Sequence, residues 1–393
     1  MKKSIIFILV TTFSFAQSVT KTINFLPDTG QTTSYTTTFG EDNDYSINPP
    51  SFTNNSNGTI TDNVTGLMWQ QADGGEMTIE NAIIYCDNLV LAGFSDWRLP
   101  TKQESMSILN LDKNNPALNI VYFPNTNAEY WWTSTLNYTN SNSIWITNAG
   151  GGTGPKLKTE TISAGGVKSF HPRAVRSVTM PTIVTHFTDN GDGTITDNVT
   201  HLIWQKAPNT TTYTWEQAIS YAESLALAGN SDWRLPNIKE LVSINDETTN
   251  APSANTTFFT TVVSARYWSA TTQFAPGGTS AWFNDFQNFG ITSYDLKTIS
   301  HNVICVRGVP SSLSITEIQN NSASIIIFPN PFTSKITIIA ATGNESYELY
   351  DSLAKQLYAG RNIDKQDFSS LTKGIYFLKI IDIKTTIVKL IKE

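Results

Sequence analysis

The sequence predicts an α+β chain of two tandem domains built alike, each with two helices against short antiparallel strands, closed by an all-β sandwich. Three observations carry this. The run Gly58 to Gln70 recurs as Gly193 to Gln205, with only Gly66 replaced by His201 and Met68 by Ile203. Leu91 to Pro100 recurs as Leu227 to Pro236, changing only Phe94 to Asn230. Offsets of 135 and 136 residues mark a duplicated domain rather than a solenoid repeat. Finally, all ten Trp lie between Trp69 and Trp282, while the chain beyond Leu313 alternates apolar and polar residues at period 2.

Within each copy the elements follow in order. Gly-Thr-Ile-Thr-Asp pairs through an Asn-containing turn with Leu-x-Trp-Gln, as a hairpin. Thr78 to Leu91 and Thr214 to Leu227 are predicted helices. Thr214 with Gln217 forms a capping box, Ile219, Ala222 and Leu225 mark one apolar face, and Gly93 or Gly229 stops the helix. A second short helix opens at Thr101-x-x-Glu104 or Asn237-x-x-Glu240, again with cap spacing. Trp- and Phe-bearing strands follow, with Tyr130-Trp131-Trp132 matching Arg266-Tyr267-Trp268, and Ala174-Val175-Arg176 matching Cys305-Val306-Arg307. Each copy is long enough to bury its own core. The last segment supplies short strands such as Tyr347 to Asp351 and Gly374 to Ile380, as expected of a small antiparallel sandwich.

Composition narrows the function. A net charge of −7 with no basic cluster argues against a nucleic-acid partner. Two Cys and four scattered His exclude a Cys-based zinc ribbon and an HExxH site. Lys2 and Lys3 before an apolar run that ends in Ser14-Phe15-Ala16 predict a cleaved signal peptide over 1–16. No later run is apolar enough to span a bilayer.

The final segment closely resembles the type A C-terminal sorting domain of the type IX secretion system. The matching features are Phe328-Pro329-Asn330-Pro331-Phe332, Leu349-Tyr350-Asp351, Leu371-Thr372-Lys373-Gly374-Ile375-Tyr376 and a Lys-rich last strand. That resemblance implies passage across an outer membrane, with the secretion machinery as partner through residues 313–393. The repeated unit resembles the family named for the C-terminal domain of the Legionella collagen-like protein, through Thr61-Asp62-Asn63-Val64-Thr65-Gly66-Leu67-Met68-Trp69, Asp96-Trp97-Arg98-Leu99-Pro100 and Tyr267-Trp268-Ser269. Asp28-Thr29-Gly30-Gln31 and Phe39-Gly40-Glu41-Asp42 resemble its N-terminal extension. This resemblance implies a C-type-lectin-like α+β fold and surface adhesion, and no catalysis. The expected domains are the signal peptide 1–16, copy one with its extension 17–178, copy two 183–310 and the sorting domain 311–393.

Candidate chemistry is sparse. Asp96 and Glu104, or Asp232 and Glu240, have the look of a glycosidase carboxylate pair. The structural reading is preferred: Asp96 faces Arg98, Asp232 faces Arg234, and the glutamates close capping boxes. Trp97 and Trp233, with Trp69 and Trp204, are assigned to the core. Adjacent Trp131 and Trp132 point to opposite faces of a strand, so one of them, or the counterpart Tyr267, is expected to be exposed and to stack on a sugar. Phe283 adds an apolar patch to this candidate ligand site. The Asp189-Asn190-Gly191-Asp192-Gly193 run lacks the spacing and terminal Glu of an EF-hand, so no cofactor is expected, calcium being the alternative.

Residues 17–312 carry 15 Lys/Arg against 25 Asp/Glu, which repels a polyanion and favours neutral polysaccharide or a surface protein as partner. The runner-up functions are an enzyme of the formylglycine-generating kind, which shares the fold class, and a matrix component without a small ligand. Cys86 lies where copy two has Ala222, and Cys305 where copy one has Ala174. One account is two free buried thiols. The other is exchange of closing strands between the copies, joining Cys86 to Cys305 in an oxidising compartment.

Overall fold

The computed structural model describes residues 18–124, 130–161, 169–275, 277–308, 326–328, 332–339, 345–351, 355–381 and 386–392. The expected signal peptide and the Pro329-Asn330-Pro331 turn lie outside these residues. The chain divides into two compact units, Met1–Pro310 and Ser311–Glu393.

In the first unit, β1 (Ser18–Lys21) precedes copy one: β2 (Phe52–Asn54), β3 (Thr59–Asp62), β4 (Leu67–Gln70), α1 (Ile79–Asp87), α2 (Lys102–Ser107), β5 (Tyr130–Leu136), β6 (Ser143–Asn148), β7 (Thr153–Leu157) and β8 (Val175–Ser177). The linker strand β9 (Thr182–Thr185) pairs antiparallel with β1. Copy two repeats the order as β10 (Phe187–Asp189), β11 (Thr194–Asp197), β12 (Leu202–Gln205), α3 (Trp215–Ser224), α4 (Ile238–Ser243), β13 (Arg266–Thr272), β14 (Ser280–Asp285), β15 (Ile291–Leu296) and β16 (Val306–Gly308). Each copy has one four-stranded sheet, β2-β3-β4-β8 or β10-β11-β12-β16, and one three-stranded sheet, β5-β6-β7 or β13-β14-β15. The closing strand of each copy therefore pairs with that copy's own hairpin.

Local chemistry explains the repetition. In the β3–β4 turn, Asp62 Oδ1 accepts from the Val64 and Thr65 amides at 3.0 and 3.2 Å, and Gly66 takes φ +72°. Asp197 makes the same bonds to Val199 and Thr200, with His201 accepting the left-handed conformation at φ +63°. Capping boxes at Thr101/Glu104, Asn237/Glu240 and Thr214/Gln217 start three helices. Gly93 and Gly229 are not helix stops, since α1 ends at Asp87 and α3 at Ser224. They sit instead in two-residue turns between Leu91 and Phe94 and between Leu227 and Asn230, preceded by Ala92 and Ala228 at φ +55° and +53°.

The copies do not have wholly separate cores. Cys86, Trp97, Trp132 and Phe170 form one cluster within copy one, and Trp215, Trp233, Trp268 and Cys305 its counterpart in copy two. A further cluster joins Ile108, Leu111 and Trp131 of copy one to Ile238, Val242 and Trp282 of copy two. Lys239 Nζ crosses this junction, donating to the Ser107 and Asp28 carbonyls at 2.8 and 2.9 Å, and burial lowers its pKa to about 8.

The second unit contains a β-hairpin, β17 (Ile326–Phe328) with β18 (Thr337–Ile339), and a four-stranded sheet. That sheet runs β20-β19-β21-β22, from β19 (Ser346–Asp351), β20 (Gln356–Gly360), β21 (Gly374–Ile381) and β22 (Thr386–Lys392). Phe332, Leu349, Ile363, Leu378 and Leu390 fill its core.

Candidate functional site

The repeated Asp-Trp-Arg-Leu-Pro motif is architectural, with different partners from those expected. Asp96 pairs with Arg176 at 2.7 Å, not with Arg98, and Asp232 pairs with Arg307 at 2.8 Å, not with Arg234. Arg98 and Arg234 instead hold Glu104 and Glu240 through two bonds each, at 2.7 Å in copy one and 2.6–2.7 Å in copy two. The Arg98 guanidinium keeps Glu104 below the usual carboxylate range, against the upward push of burial. Both carboxylates of each Asp/Glu motif pair are thus engaged by arginine. Trp97 and Trp233 donate their indole N–H groups to the carbonyls of Phe94 and Leu227, both at 3.2 Å.

The aromatic residues expected to meet a ligand are buried. Trp131 and Trp132 do face opposite sides of β5, but each side meets a core. Trp131 enters the cluster shared with copy two, and Trp132 the cluster containing Cys86 and Trp97. Tyr267 and Phe283 are split in the same way between the two clusters of copy two. At these four positions both faces of the three-stranded sheets are covered, which removes the exposed aromatic that strand alternation alone suggests, although Leu136, Tyr294 and Leu296 are exposed elsewhere on them. The Asp189–Gly193 run is a turn, in which Gly191 N–H donates to Asp189 Oδ1 and Lys206 pairs with Asp189 at 2.5 Å.

Neither does strand exchange occur. Cys86 packs with Ala174, and Cys305 with Ala222, inside separate clusters of their own copies. Both thiols are free and buried, and burial raises the Cys86 pKa to about 12. The Cys86–Cys305 bridge is therefore corrected to two isolated thiols.

An open groove of about 640 Å³ lies along α3 of copy two. Tyr213 and Tyr221 stack in its wall, ring centroids 4.9 Å apart and planes 21° from parallel. Tyr213 precedes the Thr214 cap, with its backbone paired to His301, and its ring reaches Tyr221 two turns along the helix. Asn209 Nδ2 donates to the Tyr213 hydroxyl at 3.2 Å, and Gln205 hydrogen-bonds Tyr221, fixing both rings. Gln217, Ser220 and Ser224 line the groove with amide and hydroxyl groups, and Glu216 adds a carboxylate. Copy one has Met77 where copy two has Tyr213, so it has no such pair. The enclosed void beneath Trp69 and Trp131 is far smaller, at about 10 Å³, enough for one water.

Residues 58–176 and 193–307 each match the Lcl C-terminal domain, together more than half of the chain. The chain belongs to the Lcl C-terminal domain family. Residues 326–393 match the secretion system C-terminal sorting domain. This is a type IX sorting tail, which marks an exported protein, secreted or attached to the outer cell surface. No curated protein matches the chain. Among solved structures it is similar to PorZ, an essential bacterial surface component of the type IX secretion system of Porphyromonas gingivalis. Identity is 12% and the TM-score 0.16, over 67% of this chain and 30% of PorZ. A likeness that weak transfers neither fold nor function. Among the described residues no helix is long and apolar enough to cross a membrane.

The two Lcl domains differ where the family motifs do not reach. Tyr213 and Tyr221 were missed in the sequence because only Tyr221 has a counterpart, Tyr85, in the first Lcl domain. The readable signal was the replacement of Met77 by Tyr213 at matched positions next to a helix cap.

Proposed function

We propose that this protein is a non-enzymatic binding protein of the cell exterior that recognises neutral polysaccharide through the α3 groove of the second Lcl domain. The observation that carries this reading is the rigid Tyr213–Tyr221 pair in the wall of an open groove lined by hydroxyl and amide groups. Flat aromatic faces beside neutral donors and acceptors suit sugar rings, which present C–H faces and hydroxyl edges. The excess of acidic side chains over residues 17–312 supports a neutral ligand over a polyanion.

Two features support the non-enzymatic part. The motif carboxylates are held in arginine pairs, and the two thiols are too far into separate cores to serve the cysteine-bound copper chemistry of formylglycine-generating enzymes. The return of each closing strand to its own hairpin, with two helices and a three-stranded sheet between, supports reading each copy as C-type-lectin-like.

Depletion of the purified protein by a panel of neutral and sulfated polysaccharides tests the reading. Binding to a neutral member should fall about tenfold in Tyr213→Ala, Tyr221→Ala and Ser220→Ala, with unchanged melting temperature for the exposed Ser220→Ala. Binding to sulfated members alone, or binding indifferent to all three substitutions, refutes it.

A further inference from the structure

The extension before copy one touches both copies: Ile23 and Leu26 enter the core around Trp69, and the Thr29 carbonyl accepts from the Leu111 amide, whereas Gln31, Gly40, Asp42 and Tyr45 lie on copy two. Gln31 pairs with both backbone groups of Thr272, donating Nε2 to the carbonyl at 2.9 Å and accepting from the amide at 3.1 Å. Asp42 Oδ2 accepts from the Thr271 hydroxyl at 2.5 Å. Gly40, at φ +120°, passes so close to α3 that a Cβ there would lie 2.6 Å from Ile219 Cγ2. Tyr45 donates its hydroxyl to Glu223 at 2.5 Å and lays its ring 5.2 Å from the Arg234 guanidinium. Under this segment Ile219, Thr271 and Thr272 are 0% exposed.

Each of these positions has a counterpart in copy one, 136 residues earlier: Ile83, Arg98, Thr135 and Leu136. The scaffolds beneath them agree in detail. Thr135 Oγ1 accepts from the Lys102 amide at 2.9 Å, as Thr271 Oγ1 does from Ile238 at 3.0 Å. The Ser134 amide donates to the Pro100 carbonyl at 2.7 Å, as Ala270 does to Pro236 at 2.8 Å. Yet Ile83 is 45% exposed and Leu136 57%, and the Arg98 side chain is 35% exposed against 4% for Arg234.

We propose that this face of copy one is a docking seat for an irregular acidic segment of a partner protein, resembling residues 26–48 in sequence. One chain brings two seats and one extension, and copy two already holds that extension. The partner segment would therefore come from another protein, and its chemistry follows from the occupied seat. It carries a glutamine for the Leu136 backbone, a glycine nine residues on for close passage over Ile83, then a tyrosine for the Arg98 guanidinium. Residues 26–48 contain four acidic side chains and no basic one, and in the occupied seat one of them, Asp42, accepts from the Thr271 hydroxyl, whose counterpart in copy one is Thr135.

The probe is a fluorescent peptide of residues 26–48, titrated into the full-length protein and followed by anisotropy. The expected result is saturable one-to-one binding that falls at least about tenfold in Ile83→Arg and in Leu136→Arg. Both substitutions are at exposed positions, and unchanged melting confirms that they fold. Binding should be unaffected by Tyr213→Ala, which separates this seat from the groove of copy two. Absence of saturable binding, or binding insensitive to Ile83→Arg and Leu136→Arg, overturns the proposal. Self-association of the chain that the peptide competes away would also overturn it, by making a second copy the occupant.

Discussion

Replacing Glu240 by Gln should cost far more stability than the same change at Glu104, although the two residues occupy one motif position. Gln keeps the capping geometry and nearly the same volume, so the substitution isolates the charge. In copy two both partners are buried, with the Arg234 side chain 4% and the Glu240 side chain 6% exposed. Removing the carboxylate leaves a guanidinium inside the protein without its counter-charge, worth about 3–5 kcal/mol. In copy one Arg98 is 35% exposed, so water screens it and the loss falls to about 1–2 kcal/mol. Urea unfolding at pH 7, read by Trp fluorescence, measures both. With a slope of about 3 kcal/mol/M, the midpoint should drop by about 1–1.7 M in Glu240→Gln and by about 0.3–0.7 M in Glu104→Gln. Equal shifts, or a larger one for Glu104→Gln, would refute the argument that the extension's coverage of copy two sets the difference.

Three further outcomes follow from the same contacts. Burial raises Asp42 to about 7, so its contribution to stability is full below pH 4 and is lost as pH rises through 7. Asp42→Asn keeps acceptors for Thr29 and Thr271 and should flatten the fall in melting temperature between pH 4 and 8; a slope as steep as wild type contradicts this. Both thiols should resist alkylation in the native protein, and two should react in urea without any reductant, by intact mass; a mass showing one disulfide contradicts the separate-core placement. Deleting residues after Ser312 should trap the protein in the periplasm, seen by cell fractionation and immunoblotting, whereas normal arrival at the exterior contradicts the sorting role of the tail.

The duplication, the hairpins and the second-helix caps were legible because they depend on residues a few positions apart. Thr101 and Glu104, or Asn237 and Glu240, lie three residues apart and close their boxes as spacing demands. The Asp96–Arg176 pair spans 80 residues, and motif adjacency pointed to Arg98 instead. Trp131 and Trp132 show the same limit. Strand alternation shows that they face opposite ways, but only the packing of copy two against copy one shows that both directions are interior. The extension's passage to copy two likewise depends on contacts across more than 170 residues, such as Tyr45 to Glu223. The Tyr213–Tyr221 groove was hidden because repeats draw attention to what the copies share, and this site lies where they differ.

Hydrogen exchange of the full-length protein, with and without a bound neutral polysaccharide, tests the placement of the binding site most directly. The account predicts that added protection concentrates in residues 209–224, around Tyr213 and Tyr221, and leaves β5 with Trp131 and Trp132 unchanged. Protection centred on β5 or β13 with no change over 209–224 would contradict it.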